Sequence, residues 1–548
     1  MKLGLLFLLL AQTALPQQVD EILKKLSLEQ KAGQLLIVGF GGTEMDSTIA
    51  EQLRSLHVGA VALYSRNIRD NRQLARLIRG VRRAMAGEVP PLVAIDQEGG
   101  NVVRVKKQVM VLPGAMALGA TRDPALAFLA GQAVGLDLKM LGVNTNLAPV
   151  LDINRNPANP VINVRAFGES PLLVNQLALP YILGQQQAGL ITVAKHFPGH
   201  GDANSDSHFE LARIDTPWED IWRYHLHPFR EAVQWGLDAV MLAHVEVPAI
   251  DPSGTPSSLS AAVIEGVLRR QLGFDGVVMT DDLEMHAIAD RYGLGRAAVQ
   301  AVLAGADMVM VIWTAEKKKQ VFNALVEAAR SGVLPAERLD EAVRRIIGLK
   351  LRRGVFEDDA AGEKDGVLPN PWHRRISLTV ARRSLTLVRN KNHVLPVCQS
   401  DGVVVAATSG VFRNLLRQWL SQAEFVDLEA VPSDAVRRRS LDRLRQEAER
   451  SRLIIITVQN AYQAWLVQNL LPESHAPVVV VNFSSPYLLQ HFPQVAAYLC
   501  TYSFLPEAQQ AAAEAVAGRI LVTGRLPVTL GSDYPAGFGL DVLKRCRP

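Results

Sequence analysis

Cysteine is scarce in this chain of 548 residues: Cys398, Cys500 and Cys546 stand far apart and odd in number. They show no metal-ligand spacing, and a disulfide framework is not indicated; at most one bridge has room to form, in the C-terminal part. Charge of one sign is missing too. The 58 Lys and Arg residues face 54 Asp and Glu, a formal net charge of +4. The densest basic run, Arg437 to Arg450, has acidic residues among its arginines and reads as a solvated helix face. Nothing here asks for nucleic acid or a membrane surface as a partner. The apolar run Leu3 to Leu10 is short of the ~20 residues that a spanning helix needs. It follows Lys2 and gives way to Ala11-Gln12-Thr13-Ala14, the pattern of a secretory leader over residues 1–16. No cysteine follows it, which argues against a lipoprotein anchor. The expectation is export to the periplasm or exterior, with no stable membrane insertion. No internal repeat or low-complexity segment stands out.

What is present is the composition of a globular protein, 48% apolar and 20% charged. The length calls for two domains of unequal size. After an amphipathic opening helix, roughly Val19 to Gln34, eight apolar runs alternate with helical patterns: Leu35–Phe40, Ala60–Leu63, Leu92–Ile95, Thr145–Val150, Thr192–Phe197, Ala239–Val245, Gly276–Thr280 and Ala306–Ile312. Strands buried on both faces and separated by helices predict a parallel sheet, and eight such units fit a (β/α)8 TIM barrel over residues 17–353. A doubly wound open sheet is the alternative, but no Gly-rich turn follows the first strand. Residues 354–376, charged and rich in Pro and Gly, read as a linker. Beyond it, Gly402–Ala407, Leu453–Val458 and Pro477–Asn482 predict a smaller three-layer α/β sandwich over residues 377–548.

A barrel of this kind carries its chemistry where the strands end. Polar residues there include Asp96, Asp152, Asn154, Lys195, His196, His244, Glu246, Asp281 and Asp282. His196 and His200 are four apart, but Pro198-Gly199 between them argues against a helical metal pair, and no metal is expected. Asp206 and His208 are two apart, so in an extended loop the carboxylate can bond the imidazole and tune it for proton transfer. The plain alternative is a capped turn with a surface histidine. Asp281-Asp282 ends the seventh strand. Neighbouring strand residues face opposite sides, so one of them is expected to face the reaction centre and attack an anomeric carbon, while the other can cap the helix that follows. Asp96 and Arg104 are the types of group that grip paired sugar hydroxyls.

These motifs, Ile95-Asp-Gln-Glu-Gly-Gly, Leu147-Ala-Pro-Val-Leu-Asp152, Arg165-Ala-Phe-Gly168, Lys195-His-Phe-Pro-Gly-His-Gly201, Asp206-Ser-His208 and Met279-Thr-Asp-Asp-Leu283, occur in one order over roughly residues 25 to 350. They resemble glycoside hydrolase family 3, and within it the NagZ-like β-N-acetylglucosaminidases. Ala381-Arg-Arg-Ser-Leu-Thr-Leu-Val388 and Gly524-Arg-Leu-Pro527 look like the start and end of that family's second domain. The resemblance implies Asp281 as catalytic nucleophile, His208 as general acid/base and Asp206 as its dyad partner. It further implies that Asp96, Arg104, Arg165, Lys195 and His196 hold an N-acetylglucosamine (GlcNAc), with retention and without a cofactor. Asn101 departs from the pattern, where an arginine usually follows the two glycines. Under this reading the substrate is a GlcNAc-MurNAc fragment of peptidoglycan or a chitooligosaccharide. Phosphorolysis stays open, because a histidine repels a phosphate acceptor less than a carboxylate does. A non-catalytic sugar-binding protein is the reading from another class.

Overall fold

The computed structural model describes residues 15–107, 109–206, 210–360, 370–408, 410–541 and 546. The leader expected at residues 1–16 therefore lies almost wholly outside the described residues, and so does His208. The single opening helix expected over Val19 to Gln34 is two helices, residues 15–25 and Leu28–Gln34. Ser27 divides them. Its hydroxyl accepts the Gln30 N–H while the Gln30 side chain accepts the Ser27 N–H, so the capping box starts a new helix.

Eight strands close into a barrel: β1 (Leu36–Val38), β2 (Ala60–Leu63), β3 (Leu92–Ile95), β4 (Thr145–Asn146), β5 (Ile191–Phe197), β6 (Ala239–Leu242), β7 (Val277–Asp282) and β8 (Met308–Val311). Each pairs in parallel with its sequence neighbours, and β1 closes on β8. Their residues are buried almost without exception, because helices cover the outside and side chains fill the inside. That is why each strand reads as an unbroken apolar run. The pairing of β7 with β8 is irregular between Met279 and Asp282.

A second sheet follows, formed by β9 (Thr386–Asn390), β10 (Val403–Thr408), β11 (Glu424–Leu428), β12 (Leu453–Val458), β13 (Val478–Asn482) and β14 (Ala497–Cys500). Its order is β9-β14-β13-β12-β10-β11, parallel except for the antiparallel pair β9/β14. Cys398 and Cys546 are bridged across it, with Cα atoms 5.2 Å apart, and Cys500 is free and buried. The stretch read as a linker is partly helical, since a helix begins at Pro371 and runs to Ser384. It ties the two sheets together: His373 Nδ1 lies 2.7 Å from Asp137 of the barrel, Ser377 donates to the Val111 carbonyl, and Arg382 forks onto Glu514 of the second domain.

The second domain also backs the barrel's upper rim. The Glu169 N–H donates to the Pro527 carbonyl, and Thr529 donates twice to the Glu169 carboxylate. Gly168 sits so close to this segment that a Cβ there would lie 2.6 Å from the Pro527 oxygen. Nearby, the Asn154 amide donates to the Tyr487 hydroxyl across the domain boundary.

Candidate active site

The strand ends surround a cavity of about 380 Å³, lined by charged residues together with apolar and aromatic ones. Each candidate that the sequence offered for gripping a sugar lines it: Asp96, Arg104, Arg165, Lys195 and His196. They form one network. Lys195 Nζ lies 2.8 Å from Asp96 Oδ1 and 2.6 Å from Glu98 Oε1, and Arg104 Nη2 lies 3.2 Å from Asp96 Oδ2. Arg165 donates to both Glu98 oxygens at 2.9 Å. His196 Nδ1 lies 2.7 Å from Asp152 Oδ2, which orients the ring and leaves its Nε2 3.4 Å from Arg165.

Burial works against the charges of Glu98, Arg165 and Lys195, and pairing overcomes it. Burial penalises the Glu98 carboxylate, but Arg165 and Lys195 outweigh that and hold it far below the usual carboxylate range. Lys195 is likewise desolvated, yet Asp96 and Glu98 raise it above an ordinary lysine. These three groups therefore stay ionised although they are withdrawn from water. His200 is different: burial pushes it down to about 4, against the pull of Asp152, so it is neutral near pH 7.

Both Asp281 and Asp282 line the cavity. This corrects the expectation that only one of them faces it, and the irregular register at the end of β7 supplies the reason, since strict alternation fails there. Neither caps the next helix. That helix starts at His286 after Met285, without a side-chain cap. The environments of the pair pull them apart. Burial opposes the Asp281 charge, but His244, His196, the Asp282 N–H and Lys195 together hold its carboxyl low. Burial pushes Asp282 up to about 7, with Asp281 and Glu284 adding to it. One acid is thus held ionised, beside another that carries a proton below neutrality.

The segment after β5 leaves the barrel as a tightly held loop. A Cβ on Gly201 would lie 1.7 Å from the Ile153 oxygen, so only glycine fits. Asn159 donates to the carbonyls of His200 and Gly201, and Asp202 accepts from Thr216 and pairs with His225. Asp206 follows, partly exposed on this loop and not among the side chains lining the cavity. Its expected partner His208 lies outside the described residues, together with Ser207 and Phe209. Among the described residues, no group of three or more His, Cys, Asp or Glu gathers as a metal-binding set.

Sequence reasoning missed the aromatic part of the cavity lining. Tyr64, after β2, and Trp313, after β8, have ring centroids 5.4 Å apart. The Arg66 guanidinium lies 4.0 Å from the Trp313 centroid, and the Arg104 guanidinium 5.1 Å from that of Tyr64. No motif marks either aromatic residue. An aromatic residue just past a barrel strand is the signal that was available.

A closed parallel barrel whose strand ends hold an ionised acid against a wall of paired charge is an arrangement suited to a glycoside hydrolase, the class to which the relatives of this chain belong. The glycosyl hydrolase family 3 N terminal domain matches residues 27–349, and the chain belongs to that family. Beta-hexosaminidase A of Pseudoalteromonas piscicida is 32% identical over 66% of this chain, a match that spans 64% of that relative. The beta-N-acetylglucosaminidase/beta-glucosidase of Cellulomonas fimi is 27% identical, over 94% of this chain and 97% of its own length. A solved structure of a glycoside hydrolase family 3 beta-N-acetylglucosaminidase from Paenibacillus sp. str. FPU-7 superposes with a TM-score of 0.87 at 36% identity, covering 92% of this chain and 99% of that one.

Proposed function

We propose that this enzyme is a retaining exo-β-N-acetylglucosaminidase. Asp281 attacks the anomeric carbon of a terminal β-linked GlcNAc. His208 protonates the leaving oxygen and then deprotonates the incoming water, with Asp206 as its partner. Asp96, Arg104, Arg165, Lys195 and His196 hold the sugar. The observation that carries this reading is Asp281, kept ionised at the end of β7 in the same cavity as the Asp96–Lys195–Glu98–Arg165 network. The relatives' names supply the sugar.

The substrate in this reading is a GlcNAc-MurNAc fragment of peptidoglycan or a chitooligosaccharide, met outside the cytoplasm. The bridge between Cys398 and Cys546 supports export, since such bonds persist mainly in oxidising compartments. The test is hydrolysis of an aryl β-N-acetylglucosaminide by the mature protein, with and without phosphate. Free GlcNAc is the expected product in both cases. GlcNAc-1-phosphate would make the enzyme a phosphorylase, and no release at all would favour a sugar-binding protein.

A further inference from the structure

Trp313 stands at the rim of the catalytic cavity with 57% of its surface exposed, although tryptophan is normally among the well-buried residues. It is not loose. Its main-chain N–H donates to Glu284 Oε1 at 2.7 Å, and Thr314 donates to the same carboxylate from both its main-chain N–H and its hydroxyl. Lys317 Nζ closes the group 3.2 Å from Glu284 Oε2. Arg66, under the ring, is itself fixed by donating to the Phe40 and Ile312 carbonyls. The chain at the indole's base is thus pinned to Glu284, while the indole itself has the Arg66 guanidinium 4.0 Å from its ring centroid, the Tyr64 ring beside it, and much of its surface open to solvent.

An ordered, exposed aromatic face is a surface waiting for an apolar partner, and the C–H faces of a pyranose provide one. The sugar undergoing cleavage must reach Asp281 and the charged wall inside the cavity. The ring at the rim is therefore left for the unit on the other side of the scissile bond. We infer that Trp313 is the stacking platform for the leaving-group sugar, so that the enzyme is built for a saccharide aglycone rather than a small alcohol. This rests on the glycosidase reading above. The cation beneath strengthens the device, because the guanidinium and the indole hold each other in place while the open face stays free.

The test compares diacetylchitobiose with methyl β-N-acetylglucosaminide as substrates for the wild type, Trp313→Ala and Trp313→Phe. The expected result is a loss of kcat/KM in Trp313→Ala that is about tenfold greater on the disaccharide than on the methyl glycoside, expressed chiefly in KM. Trp313→Phe should recover most of it. Equal losses on the two substrates, or no loss on either, overturn the inference. A wild type that cleaves neither substrate overturns the proposed activity, and the platform with it.

Discussion

Arg165 clasps Glu98 through two hydrogen bonds of 2.9 Å; the carboxylate is buried and the guanidinium partly so. Lys195 approaches the same carboxylate at 2.6 Å. Removing the acid strips Arg165 of its carboxylate partner and leaves Lys195 with Asp96 alone. Glu98→Ala should therefore lower unfolding stability by about 3–5 kcal/mol, as breaking one side of a buried ion pair does. Urea denaturation checks this, and Glu98→Gln should fall between the two.

Asp281→Asn removes the carboxylate proposed to attack the anomeric carbon and keeps the shape of the side chain. Turnover of an aryl N-acetylglucosaminide should fall by about 10⁴-fold or more, the scale on which loss of a covalent nucleophile is felt. Sugar binding, followed by calorimetry with GlcNAc, should survive. A variant with undiminished kcat would remove Asp281 from the nucleophile role.

Asp282 titrates in the opposite sense to its neighbour. Burial pushes its folded carboxyl up to about 7, above the value it has in the unfolded chain. The contribution it makes is therefore complete below the ordinary carboxylate pKa and is lost as pH rises through about 7. Asp282→Asn carries no such loss. Relative to the wild type, the variant should gain stability steadily between pH 4 and 7.5, whatever fixed offset its packing introduces. Unfolding free energies measured across that range decide the matter, and a flat difference would contradict the assignment.

The bridge between Cys398 and Cys546 closes 148 residues of chain. Constraint of so long a loop is worth about 4–5 kcal/mol in the chain-entropy account. Cys398→Ser should lower the melting temperature of the second domain in non-reducing buffer, and reductant should lower the wild type to match. Burial pushes the Cys500 thiol far up. Iodoacetamide should accordingly leave Cys500 unmodified in the native protein and label it only after unfolding.

The barrel was legible because its strands are buried on both faces, so all eight apolar runs became strands within a few residues of their expected ends. In the second domain, β10, β12 and β13 were legible for the same reason. β9 and β11 were not, because they lie at the sheet's edges and carry polar residues such as Arg389, Glu424 and Asp427. The gripping residues were readable through their motifs. Glu98, the centre of their network, was not, because its meaning comes from Arg165, 67 residues along the chain. Trp313 carries no local signature at all; only the cavity and Arg66 beneath it give it a role. Asp281 and Asp282 show the reverse case, in which a valid local rule, strand alternation, was overridden by a register irregularity.

The contact of Glu169 with Pro527 and Thr529 joins residues as much as 360 positions apart. Glu169 stands four residues beyond Arg165, so the loop that carries this arginine gains its backing from chain that leaves the ribosome long afterwards. A nascent barrel can assemble its strands early, but the contacts that back this loop form only when the second domain docks. A chain interrupted before that docking would hold a barrel whose Glu169 carboxylate lacks the two hydrogen bonds from Thr529.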